Sequence, residues 1–349
     1  LRVQELFIDK EMPIKDAIKN LDETAKKILL VVEYNKLVGV LTDGDIRRWI
    51  LKSGSLKEPV KAIMAKNPKF VFEEDVKNAK VILEEQSIEA IPVLNNKHEV
   101  IDIIFWNDKF NRRLNYAKMN NPVVIMAGGK GTRLDPYTKI LPKPLIPIGD
   151  IPIVEQIINR FAEYGCDDFY MTVNYKKNMI KAYFNEIEKK YTLNYIDEEK
   201  PLGTAGGLYL LKNEIKDTFF LSNCDILIEG NYSDMLKYHK EHKAKITLIT
   251  SLKHYTIPYG VIRIDKNSDV KQMDEKPEYD YLVNTGMYIL EPEVLNDIPE
   301  DKFYHITDLV NTYISKGDKI GVYPISEGSW LDMGQFKEMG IMLERLGIK

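Results

Sequence analysis

The sequence predicts an α/β fold in which a Rossmann-like sheet domain follows a smaller repeated β-α unit, and three observations predict it. From residue 122 onward, apolar runs alternate with amphipathic stretches: "PVVIMA", "IVEQIINRFAEYG", "DFYMTV", "NMIKAYFNEIEKK", "LNYI", "AGGLYLLKNEI", "TFFLSN", "YSDMLKYHKEH" and "KITLITSL". Uninterrupted apolar runs bounded by helical periodicity mark strands covered on both faces, so a parallel sheet with helical crossovers is expected. Upstream, one pattern occurs twice: a helical stretch, a strand such as "ILLVVEY", a tight polar turn, a second strand such as "LVGVLT", then another helix. Its second copy runs "AKVILEEQSIEAIPVLNNKHEVIDIIFWNDKF", and the period of roughly 60 residues indicates two pseudo-symmetric units sharing one core, since each alone has too little to bury. Between the two regions lies "NRRLNYAKMNNP", residues 111 to 122, polar and ending in Asn-Asn-Pro. Domains are therefore expected over 1–115 and 120–349.

Bulk properties narrow the function classes. A chain of 349 residues favours two domains over one. A net charge of -4 gives no reason to expect DNA or another extended polyanion, so a basic site must be local. Cys166 and Cys224 stand far apart and form neither a disulfide framework nor a metal motif, which makes a reducing cytoplasm the simplest setting. No run reaches 18 apolar residues and no signal-peptide layout opens the chain, so no membrane is expected. The chain opens on Leu1 rather than Met and is read as trimmed there.

The stretch "MAGGKGTRLDPYTKILPKPL", residues 126 to 145, follows the first apolar run of the larger domain. It is neither a P-loop, lacking the Gly-Lys-Ser/Thr ending, nor a full dinucleotide fingerprint, with Leu134 at the third glycine position. Taken alone, its glycines are a weak signal and could also form a flexible turn. The residues after them add charge: Thr132 and Arg133, then Lys143 between two prolines, which the fixed proline φ should hold on a stiff, extended segment. Ligands of open α/β sheets bind at the carboxyl ends of strands, where this stretch is expected.

"AGGKGTRLDPYTKILPKPLIPIGDIPIVEQII" resembles the signature of the sugar-1-phosphate nucleotidylyltransferases. The resemblance implies a mixed Rossmann-like sheet and an enzyme that joins a nucleoside triphosphate to a sugar 1-phosphate, releasing pyrophosphate. It implies that Ala127, Gly128, Gly129, Gly131 and Thr132 approach the nucleotide, that Arg133 holds the pyrophosphate and that Lys143 bridges the α-phosphate and the sugar phosphate. Two mutually repelling phosphates must be neutralised and aligned before attack, which is work for fixed cations and Mg²⁺ in a direct in-line displacement.

Asp225 ends "FFLSNCD" and Asp332 lies in "GSWLDMG"; each alone could cap a turn. Together they match the family's two metal-binding aspartates, a set suited to Mg²⁺ completed by nucleotide oxygens. Cys224 stands where the family usually has glycine. "EKPLGTAGGL" resembles the loop contacting base and sugar, implicating Gly203, Thr204, Ala205 and Gly206. Gly260 in "IPYGVIRID", Glu275 and Lys276 in "MDEKP", and Asn284, Thr285 and Gly286 in "LVNTGMYIL" match sugar-phosphate positions, though each alone could be a turn, a cap or an ion pair. Trp330 is expected in a core. His254 and His305 have no metal spacing, and "MGIMLERLGI" reads as a packing or dimer helix.

The repeated unit resembles a pair of CBS (cystathionine β-synthase) domains. "GVLTDGDIRR" fits that family's Gly-x-x-Thr-x-x-Asp pattern with Gly39, Thr42 and Asp45, which implies an adenine nucleotide site; a dimerisation module without ligand is the alternative. The second copy has Asp102 and Phe105 in the Gly and Thr places and keeps only Asp108, so at most one good site is expected. The loop "EKPLGTAGG" is closer in style to the guanylyltransferases than to the thymidylyltransferases, which favours GTP. The union of CBS pair and transferase resembles the glucosamine-1-phosphate guanylyltransferases of bacterial legionaminic acid biosynthesis. Glucosamine 1-phosphate is the sugar this implies, with mannose 1-phosphate, or a UTP-, CTP- or dTTP-using relative, still open; a nucleotide-sensing binding protein with a degenerate transferase domain is the alternative, against which the intact Arg133, Lys143, Asp225 and Asp332 count. A homo-oligomer is expected.

Overall fold

A computed structural model describes residues 2–24, 26–85, 88–105 and 117–347. Asp108 and most of the expected linker lie outside the described residues. The chain divides into two compact units, Leu1–Ala117 and Lys118–Lys349.

The first unit carries the repeat seen in the sequence. Strands β1 (Phe7–Ile8), β2 (Ile28–Glu33) and β3 (Lys36–Thr42) form one sheet in that order, with β1 parallel and β3 antiparallel to β2. Strands β4 (Val71–Phe72), β5 (Ala90–Leu94) and β6 (Val100–Phe105) repeat the same order and directions. Even the register irregularity recurs, at Val31/Val32 and at Val93/Leu94. The copies meet where Val100 N–H donates to the Asn35 carbonyl, 2.9 Å away. Thr42 begins helix Asp43–Leu51 with a capping box: its N–H donates to Asp45 Oδ2 at 2.9 Å while Asp45 N–H donates to the Thr42 hydroxyl, which itself donates to Asp45 Oδ2 at 2.6 Å. Arg48 takes the other Asp45 oxygen. A Cβ at Gly39 would lie 2.9 Å from Met64 Sδ and 3.0 Å from the Ala65 carbonyl oxygen. The motif positions Gly39, Thr42 and Asp45 thus each have a local structural task.

The second unit holds β7 (Val123–Met126), β8 (Pro147–Ile148), β9 (Ile151–Pro152), β10 (Asp168–Val173), β11 (Thr192–Asp197), β12 (Phe219–Asn223), β13 (Ile226–Ile228), β14 (Ile246–Thr256), β15 (Val261–Ile264), β16 (Val270–Asp274), β17 (Glu278–Leu290), β18 (Ile320–Ile325) and β19 (Trp330–Asp332). Seven of them make the central sheet, in the order β11-β10-β7-β12-β17-β14-β18. The parallel expectation holds for every strand except β17, which runs antiparallel to both β12 and β14. The sheet is therefore mixed. β10 and β11 lie to one side of β7 and β12 to the other, so the order reverses there, and the crevice at the carboxyl ends of β7 and β12 is the natural ligand position.

One face of this sheet is sealed by a core that includes Val124, Phe219, Leu221, Ile246, Tyr288 and Leu290 of the strands and Leu309 and Tyr313 of helix Ile306–Lys316. Burying each such side chain contributes about 1.5–3 kcal/mol. The expected helix in "AGGLYLLKNEI" is only a 3-10 segment, Gly206–Leu211. Its entrance is fixed instead by the Tyr304 carbonyl, which accepts from both Ala205 and Gly206 N–H at 3.0 Å.

β17 carries two extra residues where Ile249 pairs with Met287 and Thr250 with Asn284. This bulge places Gly286 at φ +91, and a Cβ there would run into the Asn223 side-chain amide. Only glycine fits, for conformation and for space. Gly286→Ala is expected to destabilise the second unit by about 1–3 kcal/mol, read as a lowered chemical denaturation midpoint.

Candidate active site at the switch point of the sheet

The glycine loop leaves β7 while Ala127 N–H still donates to the Thr172 carbonyl at 2.9 Å. Gly129 faces open space, whereas Gly131 sits at φ +68 with its absent Cβ 2.9 Å from Lys143 Cβ. A side chain at Gly131 would push Lys143 aside, so this glycine sets the distance between the loop and the lysine. Thr132 and Arg133 are exposed on the 3-10 turn Thr132–Leu134, while Leu134 anchors it in the interior. Three braces hold the returning chain. Thr138 hydroxyl donates to the Gly131 carbonyl at 3.0 Å, Tyr175 hydroxyl to the Thr138 carbonyl at 3.1 Å, and Lys176 Nζ to the Lys139 and Ile140 carbonyls at 2.6 and 2.8 Å.

Lys143 does not ride an extended segment. Pro142 is extended, but Lys143–Leu145 closes a 3-10 turn with Pro144 at its second position, and all three residues are buried. The turn aims the stem inward, and Lys143 Nζ pairs with Asp225 Oδ2. Asp225 comes two residues after the end of β12, past Cys224, and β13 then pairs antiparallel with β19, setting Ile226 opposite Asp332. Met333 N–H closes this contact by donating to the Asp225 carbonyl at 2.8 Å. Two aspartates more than a hundred residues apart in sequence thus become neighbours through one short ribbon. Burial, then the Asp225 charge, raises the Asp332 carboxyl above its ordinary range, while Gly334 N–H, Lys143 and Arg133 pull it back. Arg133, Lys143, Asp225 and Asp332 therefore share one electrostatic neighbourhood at the β7/β12 crevice.

A buried and a half-buried carboxylate against one buried ammonium leave a local excess of negative charge and hard oxygen donors, a set that fits a divalent cation such as Mg²⁺ with its remaining ligands drawn from substrate. Among the described residues no group of three or more His, Cys, Asp or Glu is placed to hold a metal alone. Burial, with the Asp225 charge, pushes the Cys224 thiol up to about 12, so it stays a neutral packing group.

The other expected positions divide. Gly203, at φ +82, presses on the Tyr304 carbonyl; Thr204 hydroxyl accepts from Ile306 N–H at 3.0 Å, capping the helix that starts there; Ala205 is buried. These three hold the loop against residues 304–306. Gly260 and Glu275 come together at the base of the β15–β16 hairpin, with Glu275 Oε2 3.1 Å from the absent Gly260 Cβ, and Lys276 is exposed at φ +46. Asn284 bonds Tyr288 hydroxyl at 2.5 Å and Thr285 hydroxyl donates to the Ile249 carbonyl at 2.7 Å. Among the described residues no hydrogen bond or ion pair joins Glu275 or Lys276 to Lys143 or Asp225. Trp330 packs under Lys253, His254 pairs with Asp280, and Met342 is the buried residue of the last helix, Phe336–Arg345.

Sequence reasoning missed Glu198. It directly follows β11 and is buried, with Oε2 3.0 Å from the absent Cβ of Gly128 and Oε1 closer still to that of Gly207. Both glycines are small because this carboxylate fills the space between them. Thr172 and Leu202 pull its pKa down, yet burial outweighs them and raises it. Its one sequence signal was its position straight after an apolar strand.

A mixed sheet with a glycine loop, a lysine and two converging aspartates at its switch point defines a nucleotide-handling α/β domain. The chain belongs to the nucleotidyl transferase family, whose profile matches residues 122–342, and a CBS domain profile matches residues 3–52. A mannose-1-phosphate guanyltransferase of Schizosaccharomyces pombe is 34% identical over 224 residues, covering 62% of this chain and 61% of that protein. A UTP–glucose-1-phosphate uridylyltransferase of Synechocystis is 32% identical over 237 residues, covering 61% and 60%. The chain thus spans about three fifths of the length of these curated relatives. The crystal structure of HddC from Yersinia pseudotuberculosis shares the fold, with TM-score 0.52 and 23% identity over 65% of this chain and 99% of that one. Among the described residues no helix is long and apolar enough to cross a membrane.

Proposed function

We propose that the chain transfers a guanylyl group from GTP to a hexose 1-phosphate, releasing pyrophosphate and forming a GDP-sugar. The observation that carries the reaction class is the convergence of Lys143, Asp225, Asp332 and Arg133 beside the glycine loop. Arg133 holds the departing pyrophosphate, and Lys143 draws the α-phosphate and the sugar phosphate into line. Asp225 and Asp332 hold Mg²⁺, which when bound supplies neutralising charge for the triphosphate. The attacking atom is the sugar phosphate oxygen, and no covalent enzyme intermediate is required.

Glu198 supports guanine. Guanine presents two adjacent donors, N1–H and the 2-amino group, which match the two acceptor oxygens of the buried Glu198 carboxylate. Cytosine and adenine set an acceptor beside their amino donor, and uracil flanks its N3–H with carbonyls, so a carboxylate repels part of each.

For the sugar, the guanyltransferase relatives point to mannose 1-phosphate. The CBS-plus-transferase architecture favours glucosamine 1-phosphate instead, and a product for surface-glycan or legionaminic acid synthesis. The CBS resemblance supports an adenine nucleotide at Gly39, Thr42 and Asp45, the two separated cysteines favour a cytoplasmic location, and a homo-oligomer is expected. Glu275, Lys276, Gly260, Asn284 and Thr285 are assigned to the sugar side, and Ala127, Gly128, Gly129, Gly131, Thr132, Gly203, Thr204 and Ala205 to the nucleotide. The full chain, given Mg²⁺ and each of the four common NTPs against glucosamine, mannose and glucose 1-phosphates, should release pyrophosphate fastest with GTP and glucosamine 1-phosphate. Pyrophosphate from no pair would reject the reaction, and a UTP preference would reject the role of Glu198.

A further inference from the structure

We propose that Lys143 and the divalent cation compete for one carboxylate, so that Asp225 first holds the lysine in reserve and releases it when the cation is bound. The inference rests on the metal assignment above. Lys143 and Asp225 side chains are each 10% exposed, and the contact is made at Asp225 Oδ2, beside the ribbon that carries Asp332. The lysine backbone is not free to move: Pro142 and Pro144 flank it, its 3-10 turn is closed by Ile146 N–H, and Gly131 abuts its Cβ. Only the four-carbon stem can swing.

Electrostatics gives the swing its direction. The single ammonium sits against one of two mutually repelling carboxylates, which it cannot neutralise together. A doubly charged ion shared by Asp225 and Asp332 neutralises both, and then repels an ammonium a few ångströms away in a site where water screens weakly. Lys143 leaves Oδ2 and its stem turns toward the substrate phosphates. A nucleotide without its cation would meet a lysine whose charge is already taken. Charge neutralisation at the phosphates thus becomes conditional on the cation that orients them.

The test is Mn²⁺ binding to the full chain without nucleotide, followed by the electron paramagnetic resonance signal of free Mn²⁺. Lys143→Ala should bind Mn²⁺ about tenfold more tightly than the unaltered chain, Lys143→Arg should stay close to it, and Asp225→Asn and Asp332→Asn should lose the site. A lysine that merely supports the fold would give the opposite sign, because its loss would loosen the carboxylates. Unchanged or weaker binding by Lys143→Ala, with both Asn variants silent, overturns the competition and leaves the metal assignment standing. Normal Mn²⁺ binding by both Asn variants overturns the assignment and the competition together. Should Lys143→Ala fail to fold by circular dichroism, acetylation of Lys143 in the unaltered chain, read by mass spectrometry, gives a second reading. It should accelerate several-fold on adding Mn²⁺, and no acceleration counts against the proposal.

Discussion

Replacing Lys143 with alanine is expected to lower kcat about a thousandfold, the scale seen when one preorganised charge at a transition state is removed. The lysine is buried on a turn fixed by two prolines and pressed by Gly131, so water cannot take its place at the same position. On the proposed assignment the effect should fall on kcat more than on KM for GTP, because Arg133 and the glycine-loop amides would still hold the triphosphate. Lys143→Arg should restore only part of the rate, since a planar fork needs more room than a stem closed in by Gly131 allows. Some stability goes with the lysine: breaking a buried pair from one side costs on the order of 3 kcal/mol. A circular dichroism spectrum at the assay temperature therefore belongs beside the rate. A folded Lys143→Ala variant retaining more than a tenth of the turnover would remove Lys143 from the reaction.

How much of the fold is legible in the sequence depends on whether the cause is local. Strands β7, β10, β12 and β14 fall on the apolar runs that announce them, because a buried strand needs only a short uninterrupted stretch, whereas β11, at the sheet edge, is only half-buried. The reversal of β17 is invisible: "YLVNTGMYIL" has the same composition as a parallel strand, and its direction is imposed by β12 and β14 on either side. The failure of "AGGLYLLKNEI" to form a full helix has a similar origin, since the Tyr304 carbonyl, a hundred residues away, captures the amides at its start. The prolines around Lys143 do constrain it, but into a turn rather than an extended segment, because Pro144 suits the start of a 3-10 turn as well as it suits an extended chain.

The site shows the same division. Arg133, Lys143, Asp225 and Asp332 can be selected because their spacing matches a family signature, but their convergence depends on the β13–β19 ribbon, which no periodicity marks. Thr42 and Asp45 are legible twice over, since a capping box and a nucleotide contact call for the same residues at the same spacing. Glu198 is hidden in "DEEKP", where a carboxylate in a charged run looks like solvated surface. Only the close fits at Gly128 and Gly207 reveal that the chain folds around it.

That carboxylate carries the second large prediction. Glu198→Gln is nearly isosteric, so the contacts from Gly128 and Gly207 survive, but half of the acceptor pair becomes a donor facing guanine's donors. The kcat/KM for GTP is expected to fall about a hundredfold or more, as when a site built around specific hydrogen bonds loses one. ITP, whose base keeps N1–H and lacks the 2-amino group, should suffer less, so the GTP/ITP ratio should shrink. The pH profile supplies an independent check. Burial raises the Glu198 carboxyl, so as pH falls its proton returns above the usual glutamate range, and the protonated group no longer accepts at both oxygens. Use of GTP should accordingly decline on the acid side at a higher pH than an ordinary glutamate would impose, and the amide of the Glu198→Gln variant, which does not titrate there, should abolish that limb. A Glu198→Gln variant with an unchanged GTP/ITP ratio and an unchanged acid limb would show that the carboxylate shapes the loop without reading the base.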